Sequence, residues 1–188
     1  VRGNFWGDPI IESQWIYHPK GNPRKRDTLA TQAPKAYFRK TFVLDDTTTS
    51  AKLQLIGDSQ AKLWINGNEL GEVFARRSLS LIVEHQRVRL WHLSGQLKKG
   101  ANVIAVETTN YDNFGSAGFN LYSELQFPNK TSARIFSDST WKVSDTVAEG
   151  WSKPEFNDTS WGYAKPVQYP LPVIRPHFAT GRLSWIER

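Results

Sequence analysis

Residues Ala51–Gly71 read AKLQLIGDSQAKLWINGNELG, and their alternation decides the fold class. Ala51, Leu53 and Leu55 fall on one face of an extended chain and Lys52 and Gln54 on the other, the period-2 pattern of a half-buried strand. Ala61, Leu63 and Ile65 repeat it inward, which turns Lys62, Trp64 and Asn66 outward. Asn66-Gly67 supplies the positive backbone angles of a tight hairpin turn, so a short return strand through Leu70 and Gly71 is expected. Asp58, in Gly57-Asp58-Ser59, reads as a turn residue between the two runs. These are the marks of an all-β chain folded as a β-sandwich.

The flanking sequence supplies more strands of this kind. Tyr37–Leu44 is rich in β-branched and aromatic residues, with Phe38, Phe42 and Leu44 on one face. Asp45–Ser50 is a polar turn, Val88–Leu93 alternates, and Ser94–Gly100 is predicted as a short turn of helix. Val103–Val106 is a continuous apolar run suited to a strand covered on both faces. Phe119, Leu121, Leu125 and Phe127 alternate with Asn120, Tyr122, Glu124 and Gln126, which predicts another half-buried strand. Trp15-Ile16 predicts a short first strand in a segment otherwise broken by Pro9, Pro19, Pro23 and Pro34. Ser78–Val83 fits strand or loop, Tyr169–Pro176 an extended run, and Arg182–Arg188 the start of a connection to a following domain. The expected division is an N-terminal segment over residues 1–35, a sandwich core over 36–164 and a C-terminal extension over 165–188.

A set of pieces recurs in a known order. Ala36 through Phe42, Gly57-Asp58, Leu63 through Gly67, Leu70-Gly71, Leu97 through Val106, Ser137 through Lys142, and Trp151 through Trp161 resemble the galactose-binding-like jelly-roll domains that accompany glycoside hydrolases. The resemblance covers about residues 36–164 and is closest to the N-terminal or rhamnose-binding domains of α-L-rhamnosidases. It implies a jelly-roll topology and an accessory, carbohydrate-binding role beside a catalytic domain of the same chain. In the rhamnose-binding members of that family Ca2+ takes part in the sugar site, which implies Asp112 and Asn113 as metal ligands here. Such domains bind many sugars or none, so the resemblance speaks to the fold more closely than to the ligand.

Composition narrows the chemistry. The 188 residues suit one domain, and no apolar run approaches the length of a membrane span, so no membrane partner is expected. Cysteine is absent, which excludes disulfides, thiol nucleophiles and Cys-based metal sites. The lack of methionine, including at position 1, suggests a processed chain or a piece of a longer one, and the resemblance implies a secreted or periplasmic parent enzyme. Twenty-four Lys and Arg against eighteen Asp and Glu give a net charge of +6. Part of it clusters at Lys20, Arg24, Lys25 and Arg26, and part at Arg76, Arg77, Arg87 and Arg89. No nucleic-acid-binding motif accompanies these residues, so nucleic acid is not expected, and an acidic polysaccharide is the more interesting partner. Arg76 and Arg77 could grip a carboxylate or sulfate on such a polymer by bidentate hydrogen bonds, and otherwise read as surface charge.

Catalytic signatures are thin. His18, His85, His92 and His177 are scattered without metal-ligand spacing, and neither a phosphate loop nor a nucleophile elbow is present. A glycosidase needs two carboxylates flanking its bond, and the acids here fit surface and turn roles, Asp138 and Asp158 as caps. The chain is therefore not expected to be an enzyme on its own. Binding has a better candidate in Asn110-Tyr111-Asp112-Asn113, which joins carboxylate, amide and aromatic groups on a loop between two strands. Its oxygens also suit Ca2+, and the same residues make good turns. Eight tryptophans are many for this length; they serve as sugar platforms or as core filler, at least half of them in the core. Trp64 is expected under the cover of another segment rather than as a bare stacking platform. Asn129-Lys130-Thr131 and Asn157-Asp158-Thr159 match the N-glycosylation pattern, which has meaning only in a eukaryotic secretory host.

Overall fold

The computed structural model describes residues 13–20, 35–74, 76–77, 84–85, 88–110 and 117–167. The strands are β1 (Trp15–Tyr17), β2 (Lys35–Leu44), β3 (Ser50–Asp58), β4 (Gln60–Ile65), β5 (Asn68–Phe74), β6 (Arg76–Arg77), β7 (Glu84–His85), β8 (Arg89–His92), β9 (Gly100–Thr109), β10 (Gly118–Gln126), β11 (Ser132–Phe136), β12 (Lys142–Ser144), β13 (Gly162–Tyr163) and β14 (Lys165–Val167). They build two antiparallel sheets, one in the order β14-β1-β10-β3-β8 with β11 also on β10, the other in the order β13-β12-β2-β9-β4-β5. β6 and β7 pair as a separate ribbon. The two faces rich in alternating apolar residues meet, so the chain is a jelly-roll β-sandwich.

The register follows the alternation. Ala51, Leu53 and Leu55 of β3 and Phe119, Leu121 and Leu125 of β10 face Ala36, Phe38, Ala61, Leu63, Ile65, Ile104 and Val106 of the second sheet, all at most 1% exposed. Phe119 joins the layers, edge-on to Phe38 at 5.0 Å and to Trp141 at 5.1 Å. Each buried Leu, Ile, Val or Phe among them contributes about 1.5–3 kcal/mol of burial, an upper figure relative to an extended unfolded chain. The two runs of the deciding stretch lie in different sheets, since β3 pairs with β10 and β4 with β9. The chain crosses between them at Gly57-Asp58-Ser59, where a Cβ on Gly57 would lie 2.6 Å from the Ala61 nitrogen. No other residue fits that crossing without a shift.

Most expectations hold. Asn66 and Gly67 take φ of 52° and 88° and turn β4 into β5. Val103 to Val106 are fully buried on both faces. Of the six tryptophans described, Trp15, Trp91, Trp141 and Trp161 are buried. Two expectations need correction. Ser94–Gly100 forms a turn rather than a turn of helix, with Gln96 N–H donating to the Leu93 carbonyl. Gly95 and Gly100 have φ of 79° and 93°, which a right-handed helix cannot hold, and Asn102 takes the Lys98 backbone N–H and carbonyl instead. β10 is half-buried only at its end, where Glu124 and Gln126 are exposed. Asn120 and Tyr122 are buried as well, Asn120 because its amide exchanges hydrogen bonds with Ser13. The Ser78–Val83 run, Arg24–Arg26, Arg87, His177 and the segments 169–176 and 182–188 lie outside the described residues.

Candidate functional site

Strand alternation sends every second residue of the second sheet to its outer face, and register lines these residues up in rows. One row is Tyr37, Glu107, Lys62 and Glu72, and the next is Lys142, Arg39, Ala105 and Trp64. The first row is charged and knitted together. Lys35 Nζ lies 2.8 Å from Glu107 Oε1 and Lys62 Nζ 3.9 Å from Glu72 Oε2, while Gln60 Nε2 donates to Glu72 at 2.5 Å. Glu107 keeps 17% of its side chain exposed and Glu72 keeps 35%. The row borders the end of the sandwich at which Ser59 and Asn110 meet, the Ser59 hydroxyl donating to Asn110 Oδ1 at 3.4 Å.

Over the second row the segment between Asp145 and Trp161 folds back as a series of tight turns. Trp151 rests edge-on against Trp64 and Tyr37, each at 5.2 Å, and stacks near Trp161 at 6.3 Å. Arg39 anchors the segment from below. Its side chain is fully buried, and its guanidinium donates to the Lys153 and Phe156 carbonyls at 2.8 and 3.3 Å, pairs with Asp158, and lies 5.0 Å from the Phe156 ring centre. Burial pulls its pKa below the ordinary guanidinium value, and Asp158 opposes that pull. The cover explains why the outward-facing Val103 and Ala105 are as dry as the core.

The tryptophans fall into two groups. Trp91 Nε1 donates to the Leu70 carbonyl at 3.2 Å and Trp141 Nε1 to that of Phe136 at 2.8 Å, so these rings are closed into the fold. Trp64 and Trp151 are only half-buried, and their indole N–H groups donate to no described residue. Half-exposed rings whose donors meet no described partner, in the row next to carboxylates, an amide and a lysine, make a surface that can take the apolar face and the hydroxyls of a sugar together.

The chain is similar to one part of an α-L-rhamnosidase. It is 32% identical to the Streptomyces avermitilis enzyme over 160 residues, 84% of this chain and 15% of that protein. The crystal structure of the S. avermitilis α-L-rhamnosidase complexed with L-rhamnose matches 86% of the chain and 15% of that enzyme, at 27% identity and a TM-score of 0.68. A Pleurotus ostreatus lectin solved with GalNAc shares the fold, with a TM-score of 0.64 and 20% identity over 83% of this chain and 42% of the lectin. No family model matches the chain. This chain thus spans about 15% of the length of the rhamnosidase it matches.

The structure places the predicted site residues as follows. Asn110 is buried at 8% exposure just after β9, and Tyr111, Asp112 and Asn113 lie outside the described residues. Arg76 and Arg77 form β6 beside His85 and Glu84, and their side chains lie outside the description. Trp64 is covered on one side by Trp151, as expected. Among the described residues no three His, Asp or Glu side chains converge as a metal site. Tyr37, Gln60, Lys62, Glu72, Glu107 and Trp151 were not singled out from the sequence. Their outward positions in the alternation were legible, but their meeting depends on cross-strand register and on a distant segment.

Proposed function

We propose that the chain is a non-catalytic carbohydrate-binding domain of a larger, rhamnosidase-like glycoside hydrolase that is secreted or periplasmic. The observation that carries this reading is the pair of half-exposed tryptophans, Trp64 and Trp151, whose indole N–H groups donate to no described residue and whose row adjoins that of Glu107, Lys62 and Glu72. The sugar lies at this edge and on the loop of Asn110, Tyr111, Asp112 and Asn113, with Asp112 and Asn113 holding Ca2+ and Arg76 and Arg77 meeting acidic groups of a rhamnose-containing or acidic polysaccharide. Ca2+, when bound, supplies a positive centre that orients sugar hydroxyls. Tethering the domain to a catalytic domain raises the local substrate concentration. Two features of the face support binding over hydrolysis. Glu72 and Glu107 stand two strands apart, roughly 10 Å by strand spacing, and each is held in an ion pair by a lysine. That arrangement is a static charge row rather than an acid and a nucleophile around a cleft.

Calorimetric titration with L-rhamnose, galactose and an acidic pectin oligosaccharide, with and without Ca2+, tests the proposal. Saccharide binding that weakens in Trp64→Phe, and that loses its Ca2+-dependent part in Asp112→Ala, is the expected result. A second reading is a ligand-free domain that packs on its catalytic neighbour, favoured by Val43 and Tyr163, which stand 71% and 60% exposed on the second sheet. Absence of heat with every sugar selects that reading.

A further inference from the structure

At the other end of the sandwich lies a cleft of about 490 Å3, lined by Thr49, Glu124, Gln126, Phe127, Lys130 and Thr131 among others. Its volume is in the range of small-molecule sites, roughly 300–1,000 Å3. β10 runs nine residues from Gly118 to Gln126, so the cleft stands about 27 Å from Gly118 at the far end of that strand. Phe127 offers a half-buried ring packed against the core. Glu124 and Gln126, two positions apart on β10, project to the same side, and neither they nor Lys130 make a side-chain hydrogen bond or ion pair with any described residue. A carboxylate, an amide and an ammonium from a strand and a turn thus converge, without partners among the described residues, on a cavity with an aromatic wall.

The turn carries an independent sign. Lys130 holds φ of 65°, the left-handed conformation that favours glycine and costs other residues free energy. Its backbone N–H closes on the Phe127 carbonyl at 3.0 Å, an ordinary turn contact that a glycine would make equally well. The lysine side chain therefore stands in the cleft at the expense of the turn, and such strain gathers where function selects the residue.

We infer that this cleft is a second saccharide-binding site, in which Phe127 packs on the apolar face of a sugar residue while Glu124, Gln126 and Lys130 bond its hydroxyls. The inference rests on the saccharide-binding reading above and makes the domain bivalent, able to hold two stretches of one polymer. Two-site attachment raises avidity for a polymer without raising affinity for a single sugar.

The test is an amide-shift titration of the 15N-labelled protein with L-rhamnose, xylohexaose and neutral pectin oligosaccharides, in the wild type and in Asp112→Ala. Saturable shifts over residues 124–132 in both proteins are expected. They should weaken at least tenfold in Glu124→Gln and in Lys130→Gly, while the melting temperature of Lys130→Gly stays equal or rises. That last readout separates lost binding from lost folding. Shifts confined to residues 60–64 and 107–113 overturn the second site and leave the proposed function standing. Shifts at the cleft that persist unchanged in both variants overturn the assigned residues. No shifts with any probe overturn the second site and, with it, the neutral-sugar form of the proposed function.

Discussion

Two turns at the same end of the sandwich, one on each sheet, hold the non-glycine residues with positive φ among those described, Asn66 at 52° and Lys130 at 65°. Asn66 is locked in place. Its amide donates to the Gln96 carbonyl and Asn102 Oδ1, both at 2.9 Å, and its Oδ1 accepts from Val103 N–H at 2.9 Å. Asn102 continues the lock to the Lys98 N–H and carbonyl and to the Gly100 carbonyl. Lys130 carries the same backbone strain with no such compensation from its side chain. A strained residue that is fully bonded serves the fold, whereas one that is unbonded and faces a cavity is better explained by what enters the cavity.

The comparison can be broken by substitution. Asn102→Ala should have the largest effect, about 3–4 kcal/mol of lost stability in urea unfolding, because a buried hub leaves several groups unpaired. A loss under about 1 kcal/mol would show that the Asn66 turn is not held as described. Asp158→Ala should cost about 3 kcal/mol by leaving the buried Arg39 charge with two carbonyls alone, and should raise the exposure of Trp151 to a fluorescence quencher.

Glycine at the two strained positions sharpens the contrast, since it relieves the backbone in both. Asn66→Gly should still destabilise by about 2 kcal/mol, because three side-chain bonds are lost. Lys130→Gly should stabilise by up to about 1 kcal/mol, strain relief of about 1–2 kcal/mol set against about 0.5–1 kcal/mol of added freedom in the unfolded chain. Equal signs at both positions would dissolve the distinction.

The smallest effect concerns a group satisfied in one protonation state only. His18 is buried, and its Nδ1 accepts the Lys20 N–H at 3.2 Å, which requires that nitrogen to be unprotonated. Burial lowers its pKa from the ordinary 6.5, Asp145 opposing and Lys20 assisting. The unfolded chain therefore binds a proton first as pH falls, so stability is complete above about pH 6.5 and declines below it. Asp145, whose pKa is lowered chiefly by its hydrogen bond from Lys20, adds a loss at lower pH, through and below its ordinary 3.8. His18→Gln should flatten the upper part of the pH profile, just below pH 6.5, and leave the acid limb in place.

Much of the fold was legible because strand structure is local. The alternation at Ala51–Leu55 and Ala61–Ile65, the Asn66-Gly67 turn and the dry run Val103–Val106 all express backbone geometry and side-chain period within a few residues. The failures have local causes too. Ser94–Gly100 carries polar residues that suit a helix end, but its glycines sit at positive φ and Asn102 claims its backbone groups. The buried face around Asn120 and Tyr122 was hidden because a polar residue reads as exposed until its partner, here Ser13, is placed.

The candidate site shows the division most plainly. Sequence by itself determined that Trp64, Lys62, Tyr37 and Arg39 point away from the core, since period 2 allows no other choice once Phe38 and Leu63 point inward. Only the tertiary structure decided that Trp151 comes back to lie on Trp64 and Tyr37, and that Arg39 is buried under Lys153, Phe156 and Asp158 rather than left in water. The reason is physical. Direction along a strand is fixed by neighbouring bonds, whereas the cover on an outer face depends on where a distant segment gains most by burying its rings and pairing its charges.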